Sequence, residues 1–256
     1  MTDIAAWTAL AEKLGKTGHN IFGTADVQIT DKGFSDEKFL ALILLARTMS
    51  NLKGALLLLR EKRIVEARTI TRCCLENKYW VGALSEEGEK FARKMLHDEM
   101  SHRKARGHRI FRSDVQLEAD VDARLREWMK RANKQFADAK TLNPSKVAST
   151  SDCGRSYILY GQLSSDSAHP SVDALYRYVV PDKHDEIGGI DVEPVVKDEE
   201  IVETIEYLCC AVMGVCIDVN QILGGTPGGE VLNKLADEYK ELSNKSNARA
   251  HPPARD

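Results

Sequence analysis

The chain lacks most of the short signatures that announce a function. Its six cysteines form no C-x-x-C pair, and four of them lie in two vicinal pairs, Cys73-Cys74 and Cys209-Cys210. Neighbouring helix positions point ~100° apart, so such pairs make poor joint zinc ligands. Free thiols in a reducing cytoplasm are the expectation, with no metal and no cofactor. No Gly-x-Ser-x-Gly occurs. The glycines of Gly224-Gly-Thr-Pro-Gly-Gly229 lack the Lys and Ser/Thr of a phosphate loop and follow no strand, so they read as a helix connector.

Long uncharged apolar runs are also missing. The stretch Phe39 to Leu59 is interrupted by Arg47 and Lys53, whereas a membrane span wants roughly twenty nearly uncharged residues. The first residues, MTDIAAWTALAEKLGK, carry an early Asp and no continuous apolar centre, unlike a secretory signal. The expected location is therefore cytoplasmic, with no membrane partner. Nor is there a large excess of one charge. The net charge is −3, but residues 93–112 hold seven Arg and Lys against two acids, a local +5 that leaves −8 for the rest. That asymmetry hints at an anionic partner.

What is present is helical periodicity. With 43% hydrophobic residues among 256, a sizeable core is available. The pattern predicts a mostly α, bundle-like single domain of about eight helices with a minor β-hairpin near 175–195. An N-terminal helix over 3–16 and a Gly-rich loop occupy 1–34. A helical domain spans 35–243, and 244–256 form a disordered tail. Ser35 is expected to cap an apolar central helix over 36–61. Further helices are expected over 63–84, 85–112, 118–140, 152–168, 198–223 and 229–242. The hairpin strands are placed at 175–180 and 190–195 around a DKHDEIGG turn.

One polar stripe stands out inside an apolar helix. Arg68, Arg72 and Glu76 recur every four residues, so they share one face. A second polar cluster, Ser164-Ser165-Asp166-Ser167-Ala168-His169-Pro170, ends a later helix. If Arg72, Glu76 and His169 converge, they supply what metal-free phosphodiester cleavage requires. His169 is then general acid/base, Arg72 holds the phosphate and Glu76 orients one of them. Arg68, Ser165 and the basic residues Arg103, Lys104, Arg106 and Arg109 are candidate RNA contacts, because phosphates demand positive charge and tolerate loose spacing. Arg103-x-x-x-x-His108 also matches the Arg-x(4 to 6)-His pattern of the HEPN ribonucleases. Glu99-x-x-His102 and Asp166-x-x-His169 have a spacing used by di-iron bundles, but Pro170 ends the second helix too early for a mid-bundle site.

Ala67-Arg68-x-x-x-Arg72-x-x-x-Glu76, with Tyr160-x-x-x-Ser164 and His169 downstream, resembles a widespread bacterial family of unknown function over roughly residues 40–180. The resemblance implies an all-helical bacterial protein, with some members linked to defence or toxin contexts, and a distant similarity to HEPN-type domains. The expected function is RNA-directed: a metal-independent endoribonuclease or an RNA-binding effector of such a system. The alternative is a non-enzymatic helical interaction protein whose Arg72–Glu76–His169 network is structural. RNA or a protein partner, and a homodimer, are compatible with both.

Overall fold

The computed structural model describes residues 3–28, 30–151, 153–168, 170–183 and 187–250, without the side chains of residues 155, 166, 168 and 247–250. The structure is 76% helical, with ten α-helices among the described residues, eight of them of seven or more residues. One two-stranded antiparallel hairpin is the only sheet among the described residues. The expected mostly α architecture is what the chain adopts.

Four long helices make the core: α1 (Ile4–Thr24), α2 (Glu37–Arg60), α3 (Ile64–Glu87) and α9 (Asp198–Ile222). They pack on one another through one apolar cluster, with Trp7, Tyr79 and Phe91 its largest fully buried side chains. By length and composition alone α2 could cross a membrane. In this fold it is a core helix: Leu40, Leu44, Leu45, Leu52 and Leu59 are buried among α1, α3 and α9.

Helix ends follow local chemistry. Asp36, one residue beyond the expected Ser35, caps α2 by accepting from the amides of Lys38 and Phe39 at 3.0 and 3.1 Å. Gly88, at φ +54°, separates α3 from α4 (Glu89–Arg112) in a conformation that disfavours residues with a Cβ. The expected break at Ser85 is therefore three residues early. α1 runs on through Gly18, where the sequence predicted a loop. A Cβ there would lie 2.2 Å from the Met49 Sδ, so the glycine serves close helix packing rather than a turn. α1 thereby belongs to the same core as α2 and α9.

The rest of the chain mixes the long α4 with shorter pieces. α4 and α5 (Ala119–Gln135) form a helical hairpin whose buried contacts, Met100, Gly107, Met129 and Ala132, lie outside the main cluster. Short α6 (Pro144–Ala148) replaces part of an expected loop. α7 (Tyr157–Leu163) continues into a π-helical turn, Ser164–Ala168, and α8 (Val172–Tyr176) follows. Strand β1 is Val179–Pro181 and β2 is Ile187–Ile190. The predicted strands were thus misplaced at both ends. Leu175 and Tyr176 close a helix, and Ile187-Gly-Gly189, read as the end of the turn, joins Ile190 in the second strand, which stops there rather than at 195. α10 (Leu232–Ala250) begins after the expected start and passes well beyond Leu242, into the segment expected to be a disordered tail.

Candidate functional site

The stripe on α3 divides between two neighbours. Arg68 turns to α9. Its Nη2 donates to Glu203 Oε2 at 2.8 Å, its Nε donates to Thr204 Oγ1 at 3.2 Å, and its Nη1 lies 3.9 Å from Glu200 Oε1. Glu200 also accepts from Arg177 Nη2 at 2.7 Å. Burial would raise the Glu200 carboxyl. The Arg177 hydrogen bond, the Lys197 amide and the charges of Arg177 and Arg68 outweigh it and hold the group below the usual carboxylate range. Arg68 is a buried cation matched to acids, and its side chain is only 10% exposed.

One turn later, Arg72 faces α7 instead. Its Nε donates to Ser164 Oγ at 2.9 Å, and its Nη2 donates to Tyr160 O–H at 2.7 Å and to Glu76 Oε1 at 3.2 Å. The Tyr160 hydroxyl donates in turn to Glu76 Oε1 at 2.8 Å. The guanidinium carbon sits 4.8 Å from the Tyr160 ring centroid, so the ring also supplies a cation–π contact. Tyr160 is itself stacked on Tyr157, with centroids 5.2 Å apart. Burial, reinforced by the hydrogen bond to Glu76 and its charge, pushes the Tyr160 hydroxyl above its ordinary pKa, so it remains a proton donor at neutral pH. The network is not sealed: the Arg72 and Glu76 side chains are 21% and 29% exposed. Arg72 Nη1 makes no hydrogen bond to any described residue.

The spacing explains why these groups meet. Tyr160 and Ser164 are four apart and so share a face, as Arg72 and Glu76 do on α3. Two i,i+4 pairs on facing helices make one square of polar groups. The π turn then widens the last turn of α7, a distortion common at functional sites. It is held by Ser167 Oγ donating to the Leu163 carbonyl at 2.5 Å, and Thr69 Oγ1 of α3 reaches the Ser167 carbonyl at 3.4 Å. Ser165 is exposed on this turn. Its hydroxyl donates to the Gln162 carbonyl at 3.0 Å, and its own carbonyl accepts from Ser171 Oγ at 2.6 Å. His169, the expected acid/base, follows the turn directly in sequence and lies outside the described residues.

The other expected RNA contacts, Arg103, Lys104, Arg106 and Arg109, lie on α4. Arg103 Nε and Arg106 Nη2 both donate to Glu99 Oε1, at 2.6 and 3.3 Å. Lys104 Nζ donates to the Phe136 carbonyl at 2.7 Å, tying α4 to the end of α5. Arg109 is exposed. Glu99 is thus occupied by arginines, and His102 Nε2 lies 3.4 Å from Asp98 rather than beside Glu99. Among the described residues no cluster of three His, Cys, Asp or Glu is placed to hold a metal ion.

Tyr160 is the central group that sequence reasoning left without a role, although its four-residue spacing from Ser164 was visible. Glu203, which neutralises Arg68 from 135 positions away, had no local signal.

A family model described as a family of unknown function (DUF5677) matches residues 38–187, which include the whole α3–α7 square. No curated protein and no solved structure matches the chain.

Proposed function

The chain belongs to that family of unknown function, and we propose that it is an RNA-directed, metal-independent endoribonuclease acting as a bacterial defence or toxin-type effector. The observation that carries this reading is the incomplete saturation of Arg72. Three of its bonds fix the guanidinium against Ser164, Tyr160 and Glu76, while Nη1, with no partner among the described side chains, is in this reading available to an anionic oxygen. A preorganised, partly exposed guanidinium is suited to a phosphate whose charge grows during reaction. In this reading Glu76 orients Arg72. His169 takes the proton of the RNA 2′-hydroxyl as it attacks the adjacent phosphorus and returns a proton to the leaving 5′-oxygen. Ser165 and the α4 residues Arg103, Lys104, Arg106 and Arg109 provide looser backbone contacts. Arg68, committed to Glu203 and Thr204, positions α9 rather than substrate. The likeness to HEPN-type domains is part of this proposal only through Arg103 and His108 on α4.

A second reading has its own support. Glu76 Oε1 and the hydroxyls of Tyr160 and Ser164 each already have a protein partner, as expected of a structural network in a non-enzymatic interaction protein. The test is cleavage of a single-stranded RNA by the purified chain with and without a chelator, beside His169→Ala. General acid/base catalysis contributes about 10²–10⁴-fold, so the variant should lose that much rate while its melting temperature stays near wild type. Chelator-sensitive cleavage would point to a metal. A wild type inert toward RNA would leave the interaction-protein reading.

A further inference from the structure

We infer that the β1–β2 hairpin is a dimerisation element, with β2 pairing antiparallel with β2 of a second copy of this chain. The first observation is where apolar surface is left. Of seventeen exposed large hydrophobic side chains among the described residues, eight fall between Val172 and Val195, with exposures from 44% for Val180 to 85% for Val195. They lie on α8, on the hairpin and just after it, and Ile187 and Ile190 of β2 are themselves 78% and 80% exposed. Single exposed apolar residues need no explanation, but such a concentration does.

The second observation is the hairpin's isolation. Its strands pair with each other, and no helix makes broad contact with either among the described residues. Its base is anchored by Arg177 to Glu200 on α9. A lone two-stranded ribbon is marginal in water, and a third strand or a covering surface is what normally supports it.

The third observation selects the edge and the partner. Val179 pairs with Ile190, and the Asp191 amide donates to the Tyr178 carbonyl at 2.9 Å, one residue outside that pair. Val179 and Ile190 therefore form a non-hydrogen-bonded pair whose own amides and carbonyls point to the two outer edges. On β1 the next outward position is Pro181, which has no N–H, so that edge is blunted. On β2 the edge Ile187-Gly-Gly-Ile190 is open. The register shift opposite Pro181 accommodates an extra residue at Gly188, which leaves Ile187 and Ile190 opposite Pro181 and Val179, on one face. Antiparallel pairing of this edge with itself about a two-fold axis near Gly188–Gly189 sets Ile187 of one copy across from Ile190 of the other. Such an isologous contact closes on itself and needs no other component. The inference rests on the hairpin alone and stands whether or not the chain cleaves RNA.

The test is the mass of the full chain in solution by light scattering or sedimentation. The wild type should have twice the 28.5 kDa chain mass at micromolar concentration. Ile190→Lys together with Ile187→Lys should give the single-chain mass with an unchanged helical circular dichroism spectrum. Gly189→Cys should form a disulfide-linked dimer on oxidation that the wild type does not form. A wild type that stays monomeric at ~100 µM overturns the proposal and would favour a foreign strand or peptide on this edge. So does a dimer that survives the double substitution. An assembly larger than two copies overturns the closed pairing.

Discussion

Arg68 and Arg72 sit one turn apart on the same face of α3, yet they meet opposite surroundings. Arg68 meets the start of α9, where Glu200, Glu203 and Thr204 saturate it and leave it buried. Arg72 meets α7, which offers hydroxyls rather than acids, and its one carboxylate partner comes from its own helix at Glu76. The first arginine is neutralised by a distant element and holds two helices together. The second is paired within its own helix and oriented by hydroxyls, and it stays partly open to water. Equal spacing in sequence thus produces one structural cation and one available cation, and the facing helix decides which is which.

That contrast can be broken by substitution. The largest effect is expected at Arg68. Arg68→Ala removes a buried cation, but its partner Glu203 is half-exposed and Glu200 keeps Arg177, so the loss lies at the low end for a buried pair, about 3 kcal/mol. For a chain of this size that lowers the melting temperature by roughly 6–12 °C. A shift within a degree or two would show that Arg68 is not the structural member of the pair.

A second test compares two carboxylates on α9. Glu200 has arginine partners and is held low. Asp218, near the other end, is raised by burial to about 6, with the charge of Lys78 only partly opposing this. The two act with opposite sign. Asp218 has a folded pKa above its unfolded one, so its contribution is fully present below about 4 and is lost as pH rises through about 6. Glu200 contributes above its unfolded pKa and loses that contribution as pH falls. Asp218→Asn should therefore raise stability at pH 7 by about 2–3 kcal/mol and flatten the melting temperature between pH 4 and 6. Unchanged pH dependence would contradict the assigned burial.

The smallest stability effect is expected at the open arginine. Arg72→Ala leaves Ser164, Tyr160 and Glu76 able to bond one another or water, and should cost about 1 kcal/mol. Destabilisation as large as that of Arg68→Ala would erase the distinction between the two residues.

Much of the framework was readable before the fold was seen. Acids at Glu37 and at Asp198 to Glu200 mark the starts of α2 and α9, and continuous helical periodicity identifies the core helices. Gly18 misled because glycine is most often a breaker, whereas here it admits Met49. The hairpin was misplaced because Gly188 and Gly189 resemble a turn, and only pairing with β1 reveals a strand. At the site, the Arg72–Glu76 pair was legible from its four-residue spacing. Its partner Ser164 was legible as part of the polar cluster 164–170, whereas Tyr160 entered only through a family resemblance. The partnership of Arg68 with Glu203 depends on how α3 meets α9, which local sequence does not encode.

The most direct measurement is binding of a single-stranded RNA oligonucleotide by the wild type, Arg68→Ala and Arg72→Ala. It should be made at low salt and below each melting transition, by fluorescence anisotropy. If Arg72 is the available cation, Arg72→Ala binds at least tenfold more weakly while Arg68→Ala stays within about twofold of wild type. Equal affinity of the wild type and Arg72→Ala would contradict the claim that Arg72 is held ready for a phosphate.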